Sequence, residues 1–278
     1  MRLIDSHCHL QADRFSGDVE LVVGAARLAG VERILVPGWN GPSSEAALAL
    51  VERFAWLDAS VGVHPHDASK VDDAEWATIA ALASDPRVVA VGETGLDLDR
   101  AFSPIPVQLT NLRRNLALAL DLGKPAILHV RSKPGAHDAQ DTLLAELRQA
   151  GFGRLSAGAF GEGPPFVIHS YSGPVDFAQA VLDLGGAISI SGLAFRAGEE
   201  TTAEVAALAP ADRTLIETDS PFLSPPGAPR GRNEPAWVRI TATWVAQKRG
   251  AKPESFGDGL VAAYDRTFRR NAPVNQAV

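Results

Sequence analysis

The stretch Leu3-Ile4-Asp5-Ser6-His7-Cys8-His9 places a short apolar run directly before two histidines. An open doubly wound sheet that binds a dinucleotide carries a Gly-x-Gly-x-x-Gly turn after its first strand, and no such turn follows this run. In an extended chain, residues two apart point to the same side, so both imidazoles can face one cation. A pair of hydrogen-bonded surface histidines explains an isolated His-x-His equally well.

Seven further apolar runs follow, with helical patterns between them, and continuous apolar runs are typical of parallel strands buried on both faces. The predicted strands are Leu3-Ile4, Arg33–Val36, Ala59–Val63, Val88–Val91, Ala126–Leu128, Phe166–Ile168, Ala187–Ile190 and Thr214–Ile216. The predicted helices include Val19–Ala29, Ser43–Phe54, Ala74–Ala83, Pro106–Leu122, Gln140–Ala150, Ala236–Arg249 and Pro253–Arg270. We predict an α/β fold, a single-domain (β/α)8 TIM barrel over residues 1–272 with a short tail at 273–278; an open doubly wound sheet is the alternative.

Composition limits the class of protein. The 278 residues are 46% apolar and 21% charged, which is typical of a globular domain, and the formal charge of −7 argues against electrostatic binding of long duplex nucleic acid. Cys8 is the single cysteine, so no intramolecular disulfide can form, and the apolar runs are far shorter than the roughly 20 residues that span a membrane. With no secretory leader at the start, we expect a cytoplasmic protein that does not cross a membrane.

Polar residues stand at the carboxyl ends of the predicted strands. In a barrel these ends converge on one mouth, so residues distant in sequence meet there. Six of the seven histidines are among them. The set comprises His7, His9, His64, His66, Glu93, His129, His169 and Asp219.

Glu93 directly follows the fourth apolar run, where an unpaired carboxylate would be costly to bury. A buried salt bridge with Arg131 or another arginine could satisfy it. A carboxylate has two oxygens, however, and can bridge two metal ions. The predicted ligands are then His7, His9 and Asp219 on one side and His129 and His169 on the other.

The remaining polar residues have predicted roles with open alternatives. Asp219 is placed to ligate a metal and to accept a proton from the attacking water, although Asp before Ser-Pro also caps turns. His129 and His169 could instead be core histidines that the backbone satisfies. We expect His64 to contact substrate or to orient a ligand, and Cys8 to pack in the core. The candidates for an anionic substrate are Arg131, Arg230 and Arg232, although the two loop arginines could be solvated charges.

Several motifs in this order resemble the TatD-like metal-dependent hydrolases, a deoxyribonuclease family of amidohydrolase-type barrels. The resemblance covers nearly the whole chain. Its motifs are Asp5-Ser6-His7-Cys8-His9-Leu10, Gly62-Val63-His64-Pro65-His66, Gly92-Glu93-Thr94-Gly95-Leu96-Asp97, Ile127-Leu128-His129-Val130-Arg131, His169-Ser170-Tyr171-Ser172-Gly173, Glu217-Thr218-Asp219-Ser220-Pro221-Phe222-Leu223 and Arg230-Gly231-Arg232-Asn233-Glu234-Pro235.

The resemblance implies a two-metal site in which a metal-activated water attacks a phosphodiester, often of DNA, such as single-stranded DNA ends. It implies no obligate protein partner. Glu93 and Asp219 would be the catalytic carboxylates. The donors suit two divalent ions of Zn, Mn, Fe, Ni or Co, and Mg less readily. The implied ligands are His7, His9, Glu93, His129, His169 and Asp219.

Departures from the family pattern leave the substrate open. Thr94 and Leu98-Asp99 stand where the family has Ile and aromatic residues, Ser170 stands where it has Cys, and residues 156–165 form an unusual predicted loop. The alternative is an amidohydrolase-type enzyme that attacks an amide, ester or lactone carbonyl on the same site. Relatives of that kind often bridge their metals with a modified lysine, whereas Glu93 favours the phosphodiesterase. A metal-binding regulator without catalysis is a third class.

Overall fold

The computed structural model describes residues 1–153, 160–229 and 231–268. Eight parallel strands form one sheet in which each strand pairs with the next along the chain. The predicted α/β barrel is confirmed. The strands are β1 (Leu3–Asp5), β2 (Val31–Pro37), β3 (Leu57–Val61), β4 (Val88–Asp97), β5 (Ala126–Arg131), β6 (Phe166–Ile168), β7 (Ala187–Ile190) and β8 (Thr214–Ile216).

Helices alternate with the strands and pack on the outside of the barrel. Local capping explains where some of them begin: the Asn40 side chain accepts a hydrogen bond from Ser43 N, and Asp72 does the same for Glu75 N. The helices are α1 (Val19–Leu28), α2 (Gly41–Arg53), α3 (Asp73–Ala83), α4 (Ile105–Leu122), α5 (Asp138–Ala150), α6 (Val175–Asp183), α7 (Thr201–Leu208), α8 (Val238–Lys248) and α9 (Pro253–Phe268).

The seam between β1 and β8 closes the barrel. The Ser6 amide donates to the Ile216 carbonyl at 3.0 Å, and beyond the strands the Asp219 amide donates to the His7 carbonyl at 2.9 Å. The buried Asp5 carboxylate adds two bonds across the same seam, since it accepts from Thr218 N at 2.9 Å and from Thr218 Oγ1 at 2.5 Å. This side chain therefore joins the first strand to the segment that carries Asp219.

The fourth strand is longer than the sequence predicted. The expectation that Glu93 ends this strand was wrong, because β4 continues to Asp97 and pairs with β5 from Thr94 onward after a shift in register. His129 likewise lies inside β5 rather than at its end. Gly95 allows the two backbones to approach, because a Cβ there would collide with the His129 carbonyl oxygen. The close approach brings Glu93 and His129 toward each other.

Some sequence predictions fall on parts of the chain that the structure does not describe. Residues 156–159 of the predicted loop, Arg270 at the predicted end of the last helix, and the tail at 273–278 lie outside the described residues. Within the described ranges, no helix combines the length and apolar character that crossing a membrane requires. The cytoplasmic location stays a prediction.

Replacing Asp5 should weaken the seam. We expect Asp5→Ala to lower the free energy of unfolding by about 3 kcal/mol, because it leaves the amide and hydroxyl of Thr218 buried without an acceptor. Asp5→Asn keeps one acceptor oxygen and should cost about 1 kcal/mol. Urea denaturation in the presence of a chelator measures the free energy of unfolding of each variant without any contribution from bound metal. If Asp5→Ala and Asp5→Asn have the same free energy of unfolding, the hydrogen bonds of Asp5 do not stabilise the seam.

Candidate metal centre

Four donor atoms meet in the first half of the centre. His7 Nε2 and His9 Nε2 are 3.3 Å apart. Glu93 Oε2 lies 3.2 Å from the first nitrogen and 3.8 Å from the second. Asp219 Oδ1 lies 3.9 Å from His7 Nε2 and 3.3 Å from His9 Nε2. Ligands held about 2.1 Å from one ion are roughly 3.0–3.4 Å from each other, so this spacing fits a cation.

The other oxygen of Glu93 serves a second half. Its Oε1 lies 2.9 Å from His169 Nε2, 3.2 Å from His129 Nδ1 and 3.2 Å from His64 Nε2. The first two of these nitrogens are 3.2 Å apart. The sequence predicted that Glu93 could face two ions, and the structure places four of the other predicted ligands, all histidines, within 3.8 Å of its oxygens, with Asp219 beside His7 and His9. It also places His64 at ligand distance, closer to the centre than a substrate contact requires.

Burial and mutual attraction set the charge of this cluster. Burial lowers the pKa of His7 and brings that of His64 to about 4, so both rings are neutral and present a lone pair. Burial alone would raise the pKa of Glu93, but the surrounding histidines outweigh it and hold that pKa well below the usual value. Burial likewise opposes protonation of His169, yet Glu93 and Glu217 raise its pKa well above normal. The ionised Glu93 carboxylate and the neutral rings of His7 and His64 are donors of the kind that a divalent metal site uses, and a cation would take the place of the proton on His169.

The backbone around Asp219 turns this side chain into the mouth. Asp219 has a left-handed φ of 52°, which Asp adopts more readily than most residues. Its side chain is 14% exposed, against 4% for Glu93. Asp219 is thus the more accessible of the two carboxylates in the cluster.

Comparisons with known proteins agree with this geometry. The family model described as TatD related DNase matches residues 4–269. The chain belongs to this family. It is 32% identical over 269 residues to the uncharacterized metal-dependent hydrolase YabD of Bacillus subtilis (strain 168), covering 97% of this chain and all of that protein. It is 36% identical over 258 residues to the 3'-5' ssDNA/RNA exonuclease TatD of Klebsiella pneumoniae (strain 342), covering 91% and 92%.

Solved structures give the same result. The crystal structure of YJJV, a TatD homologue from Escherichia coli K12, superposes with a TM-score of 0.84 at 28% identity, over 96% of this chain and 98% of that one. A TatD-family hydrolase from Entamoeba histolytica superposes with a TM-score of 0.82 at 19% identity, over 96% and 98%, and supports the fold alone. The TatD family predicted from the sequence motifs is confirmed.

Glu217, which the sequence analysis left without a role, fixes the orientation of a candidate ligand in this TatD-family chain. Its Oε1 lies 3.2 Å from His169 Nδ1 and accepts from Ser170 N at 2.6 Å and Ser170 Oγ at 2.8 Å. Burial opposes ionisation, but the bond to His169 outweighs it and lowers the pKa of Glu217 to about 2. The signal in the sequence was a second acid two residues before Asp219, directly after an apolar strand.

Asp97 lies near His129 as Glu217 lies near His169. Its Oδ2 lies 2.7 Å from His66 Nε2, 3.5 Å from His129 Nε2 and 3.8 Å from Arg131 Nη1. Burial would raise the pKa of Asp97, but these histidines and the Arg100 amide lower it. Asp97 ends a sequence motif but had no predicted role. No signal in the sequence marked it, because the predicted fourth strand ended at Val91 and β4 continues to Asp97.

The three predicted anion-binding arginines have different surroundings. Arg131 lies beside Asp97 at the mouth with 30% of its side chain exposed. Arg232 forms a bidentate pair with Asp18 at 2.8 and 2.7 Å and a further bond to Glu234 at 2.7 Å, so its guanidinium fastens the loop after β8 to the start of α1. Substrate contact by Arg232 stays a prediction, and Arg230 lies outside the described residues.

Neutralising Glu217 should weaken metal binding, although every candidate ligand remains present. We expect Glu217→Gln to lower the affinity for Zn²⁺ or Mn²⁺ about 10- to 100-fold, because the amide holds the His169 ring less firmly and makes it a poorer donor. Competition titration against a chromophoric chelator measures the affinity. Glu20→Gln, on the exposed side of α1, is the matched control. If both variants bind as tightly as the unaltered protein, Glu217 does not support the site.

Proposed function

We propose that this protein is a metal-dependent phosphodiesterase that hydrolyses nucleic acid. Two divalent ions would bind, one to His7, His9, Glu93 and Asp219 and one to Glu93, His129 and His169. The observation that carries the proposal is the position of Glu93, whose Oε2 faces His7 and His9 and whose Oε1 faces His64, His129 and His169. A bridging carboxylate of this kind is typical of two-metal sites that act on phosphate esters.

The substrate class draws support from relatives of nearly the same length. Several TatD proteins that match the chain at 35–37% identity are named 3'-5' ssDNA/RNA exonucleases. We therefore propose the ends of single-stranded DNA or RNA as the substrate. The acidic net charge agrees with a short substrate contact rather than with binding along a duplex.

The residues at the mouth of the barrel would have different roles in the reaction. Bound divalent ions supply a nucleophilic water at neutral pH and balance the charge of the phosphate. Asp219 is positioned to accept the proton of the attacking water at a carboxylate oxygen, because it is accessible and within reach of both His7 and His9. Arg131 would pair with a phosphate oxygen. His64 would either complete the second group of ligands or contact the phosphate, since its Nε2 is already 3.2 Å from Glu93.

Removing either the metal or the proton acceptor should abolish turnover. We expect the purified protein to carry up to two divalent ions per chain by elemental analysis and to degrade a single-stranded oligonucleotide. A chelator should stop the reaction, and excess Mn²⁺ or Zn²⁺ should restore it. Asp219→Asn should lower kcat roughly 100- to 10,000-fold. Glu20→Gln again serves as the control.

The same assay distinguishes the other classes of enzyme. Bis-nitrophenyl phosphate and the oligonucleotide are tested beside a panel of esters, amides and lactones. Turnover of carbonyl substrates alone would refute the phosphodiesterase and leave the amidohydrolase alternative. Metal binding without turnover of any substrate would favour the regulator.

A further inference from the structure

Two exposed phenyl rings stand at the mouth of the barrel. Phe102 is 66% exposed and Phe222 is 53% exposed. Among the residues that the structure describes, no other Phe, Tyr or Trp side chain is as exposed. Exposed aliphatic residues such as Leu28 and Leu208 are scattered over the outer helices, which is ordinary for a soluble domain surface. Both phenyl rings, in contrast, contact histidines of the metal centre or its border.

Phe222 is held rigidly although its ring is exposed. The fully buried Asn233 donates to the Phe222 carbonyl at 2.7 Å and to the Thr218 carbonyl at 2.9 Å, and the Phe222 amide donates to the Asp219 carbonyl at 2.9 Å. The ring centre lies 6.1 Å from that of His9 in an edge-to-face arrangement. The hydrogen bonds anchor the backbone of Phe222 so that its ring lies beside the first group of ligands.

Phe102 is held in the same way on the other side. The neighbouring Ser103 is fully buried, and its hydroxyl donates to the His66 carbonyl at 3.1 Å and accepts from the Ser69 amide at 3.0 Å. Gln108 donates to the Ser103 carbonyl at 2.8 Å. The Phe102 ring centre lies 4.7 Å from that of His66. The His66 ring in turn neighbours that of His129.

The two phenyl rings border different halves of the centre, and a chain of neighbouring histidine rings links them. Successive ring centres from His9 to His66 are 4.9, 4.0, 5.5 and 6.1 Å apart, passing through His7, His169 and His129. Phe222 contacts the first ring of this row, and Phe102 contacts the last. Phe222 thus borders the histidines that face Glu93 Oε2, and Phe102 borders those that face Glu93 Oε1.

We propose that Phe102 and Phe222 are specificity-determining residues that each stack on one of the two nucleobases flanking the bond to be cleaved. This inference rests on the proposed function and names how that site selects its substrate. Aromatic side chains bind unpaired bases by stacking, without regard to sequence, because every base has a π face. Rigid exposed rings suit this task, since little conformational entropy is lost on binding.

The separation of the rings selects for unpaired strands. In a duplex, successive bases are stacked face to face about 3.4 Å apart along each strand and cannot reach two surfaces on opposite sides of the metal centre. An unpaired strand can unstack and direct its bases apart. The two phenyl rings thus favour a single strand by geometry.

The test compares phenyl variants on two oligonucleotides. One substrate is single-stranded oligothymidylate, and the other carries dihydrothymidine, whose saturated ring is no longer flat, at the two 3'-terminal positions. We expect Phe222→Leu and Phe102→Leu each to lower kcat/KM on the first substrate about 5- to 100-fold, chiefly through KM. Phe222→Trp and Phe102→Trp should retain activity. Leu28→Ala, at an exposed aliphatic residue of α1, is the control.

The second substrate supplies the decisive comparison. The unaltered protein should cleave the dihydrothymidine strand about as slowly as the Phe102→Leu/Phe222→Leu double variant cleaves oligothymidylate, and the double variant should lose little more on it. The preference for a single strand over a blunt duplex should also shrink in the Leu variants. Unchanged kinetics of the Leu variants on oligothymidylate would overturn the stacking proposal alone. Failure of the unaltered protein to cleave either strand would overturn the proposed function itself.

Discussion

The ionised carboxylate of Glu93 is the group on which the rest of the structure depends. It is 3% exposed, and a charge removed from water at this depth requires partners on both oxygens. Those partners come from four other places in the chain: the segment after β1, the segment after β3, strand β5 and the segment after β6. A closed barrel of parallel strands is the arrangement that delivers all of them to one point, because every strand ends at the same mouth.

The contacts that close the barrel therefore also assemble the candidate metal centre. The seam between β1 and β8 brings Asp219 to His7 and His9, and the bonds of Asp5 to Thr218 set the distance between them. An open sheet would leave these two edges at opposite sides of the molecule. Asp5 thus stabilises the fold and positions the accessible carboxylate by the same pair of hydrogen bonds.

The apolar runs were sufficient to predict the eight strands and their direction, because strands buried on both faces consist of continuous Val, Ile and Leu. They could not reveal that β4 extends through Gly92-Glu93-Thr94-Gly95, since the strand there is held by backbone pairing with β5 and not by apolar side chains. The candidate ligands could be proposed from their place after each run. The roles of Glu217 and Asp97 could not, because hydrogen bonds between side chains leave no periodic trace in a sequence.

These two unpredicted carboxylates make the halves of the centre unequal. Glu217 is hydrogen-bonded to the distal nitrogen of His169, whereas the distal nitrogens of His7, His9 and His129 are buried without a hydrogen-bond partner in the described part of the chain, and that of His129 lies 3.5 Å from Asp97. An imidazole bonded to a carboxylate is better oriented and a stronger donor. His169 is therefore the best-oriented of these four candidate ligands. The half formed by His7 and His9 has Asp219, the accessible carboxylate, which under the proposed function would accept the proton of the attacking water.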